Sequence, residues 1–114
     1  VLRFGGTLWI DEGRPMPGAA HARTLANLRE VSPTIRFDVP RGHALLLDAL
    51  EGDADLAVRV FARLRLVFSA GASLPEPALR RLQALAGRHA PRAVPVVSSW
   101  GLTETAPAAC TTHA

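Results

Sequence analysis

Two short segments hold the residues best suited to chemistry. The first is Gly71-Ala72-Ser73, which closely follows the apolar run Leu66-Val67-Phe68. Side chains this small let a flat ligand approach the backbone closely. The second is Trp100-Gly101-Leu102-Thr103-Glu104. Trp100 offers a face for stacking on a purine, and Thr103 a hydroxyl that can donate to a phosphate oxygen. Glu104 is a hard oxygen ligand, suited to Mg²⁺ riding on nucleotide phosphates. Gly101 permits backbone geometry that other residues resist. Each has a plainer reading beside this one. Gly-Ala-Ser also suits a turn leading into a helix, Thr103 a local cap, and Glu104 a solvated acid.

These groups act together only if the elements around them bring them to one place. The pattern predicts a strand over 4–10 with Gly5-Gly6 inside it, then a loop over 11–18 holding two prolines and two glycines. Residues 19–31 carry Ala22, Leu25, Leu28 and Val31 at every third position, the mark of one helix face. Ser32-Pro33 ends it, because proline disfavours helical geometry in the residue before it. A second strand is predicted over 34–39. Pro40 then opens a helix to Leu50, since the N–H it lacks has no partner at that position.

Glu51-Gly52-Asp53 breaks that helix, and another is predicted over 54–64 with Leu56, Val60 and Leu64 inward. Asp55, Arg59 and Arg63 step by four along its outer face, a spacing that supports weak ion pairs. Residues 65–70 read as a strand buried on both faces. A helix over 75–89 follows, with Leu79, Leu82 and Leu85 inward, then a strand over 94–99. One more is expected to begin between 106 and 111. Alternation of this kind predicts an α/β fold, a mostly parallel sheet with flanking helices and right-handed crossovers. In such sheets ligands bind beyond the carboxyl ends of the strands. Both chemical segments follow strands, so both are expected on one edge.

Bulk composition narrows the field. The 114 residues suffice for one domain, and 48% hydrophobic with 20% charged is an ordinary globular balance. All 13 basic residues are arginine, and they alternate with acids rather than cluster as a nucleic-acid footprint requires. Arg80, Arg81 and Arg88 are expected on a solvated helix face. One cysteine, Cys110, excludes an internal disulfide. No apolar run reaches the roughly 18 residues of a membrane span. These features predict a soluble, cytoplasmic protein without nucleic-acid partners. The start at Val1 without methionine and the stop at Ala114 suggest an internal fragment.

Ser98-Ser99-Trp100-Gly101-Leu102-Thr103-Glu104-Thr105-Ala106-Pro107 resembles the aromatic-Gly-x-Thr-Glu motif of adenylate-forming enzymes. That superfamily includes acyl-CoA synthetases, luciferases and peptide-synthetase adenylation domains. Phe68-Ser69-Ala70-Gly71-Ala72-Ser73-Leu74-Pro75 resembles its other adenine-side motif, in the family's order and at about its separation. Gly5-Gly6-Thr7-Leu8, and Leu28-Arg29-Glu30-Val31-Ser32-Pro33-Thr34 followed by Val39-Pro40, are similar to feruloyl-CoA synthases. The resemblance covers nearly the whole chain and implies a piece of the AMP-binding N-terminal domain.

It implies roles as well. Gly71, Ala72 and Ser73 would line the adenine and acyl pocket, with Gly101 beside them. Trp100 stands where the family more often has tyrosine and would stack on adenine. Thr103 would contact the α-phosphate and Glu104 would coordinate Mg²⁺. The implied reaction joins a carboxylate, such as ferulate, to ATP and then to CoA. The family's phosphate-loop lysine, its ribose-binding aspartate and its C-terminal lysine domain have no counterpart here. A chain without lysine is therefore expected to be inactive by itself.

Other candidates are weaker. His21, His43, His89 and His113 are expected to be exposed, and Cys110-x-x-His113 is at most half a metal site. Asp38 lies near the implied acyl pocket but serves equally well as a helix cap. A piece cut from a larger sheet would leave bare edges, so self-association is expected. A stand-alone α/β module that binds a nucleotide or a protein without chemistry is the alternative from another class.

Overall fold

The computed structural model describes residues 2–102, 104, 110 and 111. Its elements are α1 (Ala19–Glu30), β1 (Ile35–Asp38), α2 (Pro40–Gly52), α3 (Ala54–Phe61), β2 (Leu66–Ser69), α4 (Glu76–His89), β3 (Val96–Trp100) and β4 (Cys110–Thr111). The sheet order is β1-β2-β3-β4. β1, β2 and β3 are parallel, and β4 runs antiparallel to β3. The expected mostly parallel α/β sheet is what forms.

Local chemistry sets the helix ends. Pro40 occupies the first turn of α2, where no N–H is needed. Asp53 closes α2 and caps α3, its Oδ1 accepting from the Leu56 amide at 3.0 Å. Its other oxygen takes the Arg29 guanidinium at 2.7 Å, tying α1 to the α2–α3 junction. α4 carries Glu76 in its first turn and Arg88 in its last, each sign opposite to the helix dipole there.

The core is a leucine cluster between helices and sheet. Leu46, Leu47 and Leu50 of α2 meet Leu56, Val60 and Phe61 of α3, Leu82 and Leu85 of α4, and Val67 of β2. Buried and less buried residues alternate along β2, with Val67 and Ser69 buried and Leu66 and Phe68 only partly so. Burial on both faces was expected of this strand; one face alone is sealed. Ile35 and Phe37 of β1 are exposed, and the Phe37 and Phe68 rings meet at 5.1 Å.

Several expectations are corrected. No strand forms over 4–10; a 3₁₀ turn spans Leu2–Phe4, and Phe4, Leu8, Trp9 and Ile10 are exposed. Strand composition is not sufficient, because the hydrogen bonds must come from a neighbouring edge, and neither edge of this sheet takes the segment. The loop after it docks through Asp11, whose carboxylate accepts from the Thr24 hydroxyl, from Asn27 Nδ2 at 2.7 Å and from the Gly13 amide at 3.0 Å. Thr24 is therefore buried on α1, where Ala22 was expected and is exposed.

α3 ends at Phe61, before Leu64, although Leu64 still enters the core. No ion pair among the described residues uses Asp55, Arg59 or Arg63. Arg81 is not simply solvated. It reaches across to α2, binding Asp48 at 2.6 Å and Glu51 at 2.7 Å, and these bonds hold its pKa above the usual value. Among the described residues, no helix is long and apolar enough to cross a membrane.

Leu47 is 2% exposed at the centre of the cluster. Leu47→Ala should cost about 2–5 kcal/mol through lost burial and an unfilled cavity. Chemical denaturation measures this, and a loss below about 1 kcal/mol would mean that the core packs elsewhere.

Candidate functional site

Parallel pairing decides where the chemical segments lie. The last register row runs Asp38 to Ser69 to Ser98 across β1, β2 and β3. Ala70 continues past it, its amide donating to the Asp38 carbonyl at 2.8 Å. The turn Gly71-Ala72-Ser73 and the segment from Trp100 to Glu104 therefore leave the same edge of the sheet. That edge is the carboxyl end of three parallel strands, where α/β sheets place ligands.

The first turn is exposed and firmly held. Gly71 has φ 78°, a left-handed conformation that residues with a Cβ rarely adopt. Fully buried Ser69 donates from Oγ to the Ala72 carbonyl at 2.7 Å. Ser73 Oγ lies 3.1 Å from Ser98 Oγ, joining the turn to the next strand. The result is an open ledge of small residues with a fixed backbone.

On the second segment, Trp100 is the last residue of β3, its backbone paired with Cys110. Gly101 is half-buried and Glu104 is exposed. Thr103 lies outside the described residues. Among those described, no group of three His, Cys, Asp or Glu side chains converges as a metal cage. A lone exposed carboxylate nonetheless fits Mg²⁺, which commonly takes one or two protein carboxylates together with substrate phosphates. Cys110 is exposed on β4, and His113 lies outside the described residues.

Against β2 sits a polar group not expected to be buried. His43 of α2 is 4% exposed, not solvated, and its Nε2 lies 3.2 Å from the Phe68 carbonyl. Burial lowers its pKa most and the nearby Arg36 charge lowers it further, against the Phe68 and Asp38 contacts that raise it. The ring is therefore neutral at pH 7, with Nε2–H donating. His21 and His89 are half-buried rather than exposed.

Asp38 neither caps α2 through the usual amides nor stands free. Its Oδ1 accepts from the Val39 amide at 2.8 Å, and its Oδ2 takes Arg36 at 2.6 Å. A Cβ built on Gly42 would overlap the Asp38 carboxylate, so a larger residue there would require that carboxylate to shift. Spacing alone could not reveal this arrangement. The one available signal was Gly42 in the first turn of an otherwise leucine-rich helix, a place glycine does not favour.

A family model described as "AMP-binding enzyme" matches residues 1–114. Among solved structures, the chain is similar to a long-chain-fatty-acid-CoA ligase (FadD1) from Archaeoglobus fulgidus, with TM-score 0.59 and 19% identity over 80% of this chain and 18% of that one. It is also similar to CmiS6, with TM-score 0.59 and 28% identity over 81% of this chain and 20% of that one. The chain thus spans about a fifth of the length of these two structures. No curated protein matches it.

The buried histidine carries a pH test. Its folded pKa lies below the ordinary 6.5, so the unfolded chain binds more protons between the two values. Stability is full above pH 6.5 and falls as pH drops from there toward the folded value. Thermal melts from pH 8 to 5 should show a smaller loss in His43→Gln than in wild type. Parallel curves would remove His43 as the source.

Proposed function

The chain belongs to the AMP-binding enzyme family, and from that premise we propose that it is part of the nucleotide-binding N-terminal domain of an acid–thiol ligase. The enzyme joins a carboxylate to ATP and then to CoA. The observation that carries the proposal is the common edge from which the Gly71–Ser73 ledge and the Trp100–Glu104 segment emerge.

The carboxylate oxygen attacks the α-phosphorus, the bond to the bridging oxygen breaks, and pyrophosphate leaves with that electron pair. Thiol attack on the acyl carbon then expels AMP and leaves a thioester. Negative charge gathers on the α-phosphate oxygens in the first step, so fixed donors and cations aimed there lower the barrier. In this proposal Gly71, Ala72 and Ser73 line one side of the adenine and Trp100 stacks on the other. Gly101 lets the chain turn away from the base, and Thr103 donates to the α-phosphate. Glu104 holds Mg²⁺, which when bound supplies positive charge against the phosphates.

The acid is proposed to be aromatic, ferulate or a close analogue, on the similarity of residues 28–34 and 39–40 to feruloyl-CoA synthases. Cys110, a lone exposed thiol, suits the reducing cytoplasm. The isolated chain is proposed to self-associate through Phe4, Trp9, Ile10 and Phe37, which are 57–88% exposed. A monodisperse monomer in light scattering at high concentration would contradict this.

ATP–pyrophosphate exchange by the full-length enzyme carrying this sequence, with a panel of carboxylates, tests the function. Aromatic acids should support exchange and the 114-residue chain alone should not. Glu104→Gln should cut the rate by on the order of 10²-fold. Near-normal exchange in that variant would take Glu104 out of the metal role. A preference for fatty acids would replace ferulate while keeping the reaction.

A further inference from the structure

We propose that Ser98 is a positioning residue of the nucleotide site, acting through the hydroxyl of Ser73; this rests on the nucleotide assignment above. The ledge has two anchors of different kinds. Ser69 holds the Ala72 carbonyl at 2.7 Å from within the strand that leads into the turn, so it sets the turn's own shape. Ser98 belongs to the neighbouring strand, 9% exposed and two residues before Trp100, and meets Ser73 Oγ at 3.1 Å.

Past the paired row of Ser69 and Ser98, this bridge ties the ledge to β3 and thus to the segment that follows. A base held between the ledge and Trp100 needs that separation to be fixed. The base is not the reacting centre, so loosening this bridge weakens nucleotide binding by about the worth of one hydrogen bond and leaves the chemical step in place. Ser73 is exposed and would otherwise choose among water partners, whereas the largely buried Ser98 oxygen gives it one fixed site. Ser98 thus differs from a residue that touches the nucleotide. Its effect passes through Ser73, and both hydroxyls are needed.

The test is ATP–pyrophosphate exchange in the full-length enzyme with Ser73→Ala, Ser98→Ala, the double variant and Ser98→Thr. Each alanine variant should raise KM for ATP by about 3–10-fold, the worth of one hydrogen bond. In Ser98→Ala, which touches neither substrate, saturated kcat and KM for the carboxylate should stay within about twofold, inside that same one-bond allowance. The double variant should match Ser73→Ala, since once the Ser73 hydroxyl is gone the bridge has nothing left to act through. Ser98→Thr, which keeps the hydroxyl, should restore most of the affinity. Amide exchange at Gly71–Ser73 should quicken equally in both single variants.

Additive effects would overturn the proposal, as would a KM rise confined to Ser98→Ala, which marks direct contact. Faster amide exchange with KM unchanged would reduce the bridge to a structural one and also overturn it. Wild-type exchange with any of these patterns defeats this proposal alone. A wild-type enzyme inert toward every carboxylate defeats the acid-activation assignment as well.

Discussion

The parallel pairing of β2 between β1 and β3 is the constraint on which the rest depends. A parallel strand cannot pair with its neighbour through a tight turn; each crossover must travel back along the sheet, and here helices make that return. α2 and α3 lie between β1 and β2, and α4 lies between β2 and β3. Their leucines seal one sheet face, and Val67 is the strand residue that joins their apolar cluster. With the returns on one side and the parallel strands in step, β1, β2 and β3 release the chain at the same rim. Separate stretches of sequence thereby become neighbours without any contact between their side chains being required.

Much of this organisation is legible in the residues themselves. Pro40, the Asp53 break and the spacing of Leu82 and Leu85 each act locally, so α2, α3 and α4 fall close to where the pattern places them. The parallel sense of β1, β2 and β3 follows from alternation of elements, whereas their order in the sheet does not. The exceptions share one cause. Residues 4–10 have the composition of a strand, but pairing is decided by distant partners that composition does not encode. Ala22 and Thr24 exchange burial because Asp11 reaches α1 from a loop, a contact visible only in three dimensions.

The site divides along the same line. Gly71, Ala72, Ser73 and Gly101 stand out in sequence because small residues after apolar runs mark strand ends. Their supports do not stand out. Ser69 and Ser98 are ordinary serines until register sets them side by side, and His43 looks like a surface histidine until α2 packs over β2. Past the end of β2 the backbone leaves the ladder and its carbonyls need other partners. Ala72 illustrates this, its carbonyl accepting from the Ser69 hydroxyl, whereas His43 meets the Phe68 carbonyl within the strand.

Gly42 ties two distant parts of the code together. Its Cα hydrogen faces the Asp38 carboxylate, which in turn balances Arg36, a side chain only 13% exposed. A larger residue at 42 would press on that carboxylate and strain its pairing with a guanidinium in a mostly dry place, where a lost partner is costly. Positions 36, 38 and 42 are therefore expected to drift through evolution as a set. A lineage that loses the glycine should have shed the arginine or the aspartate first.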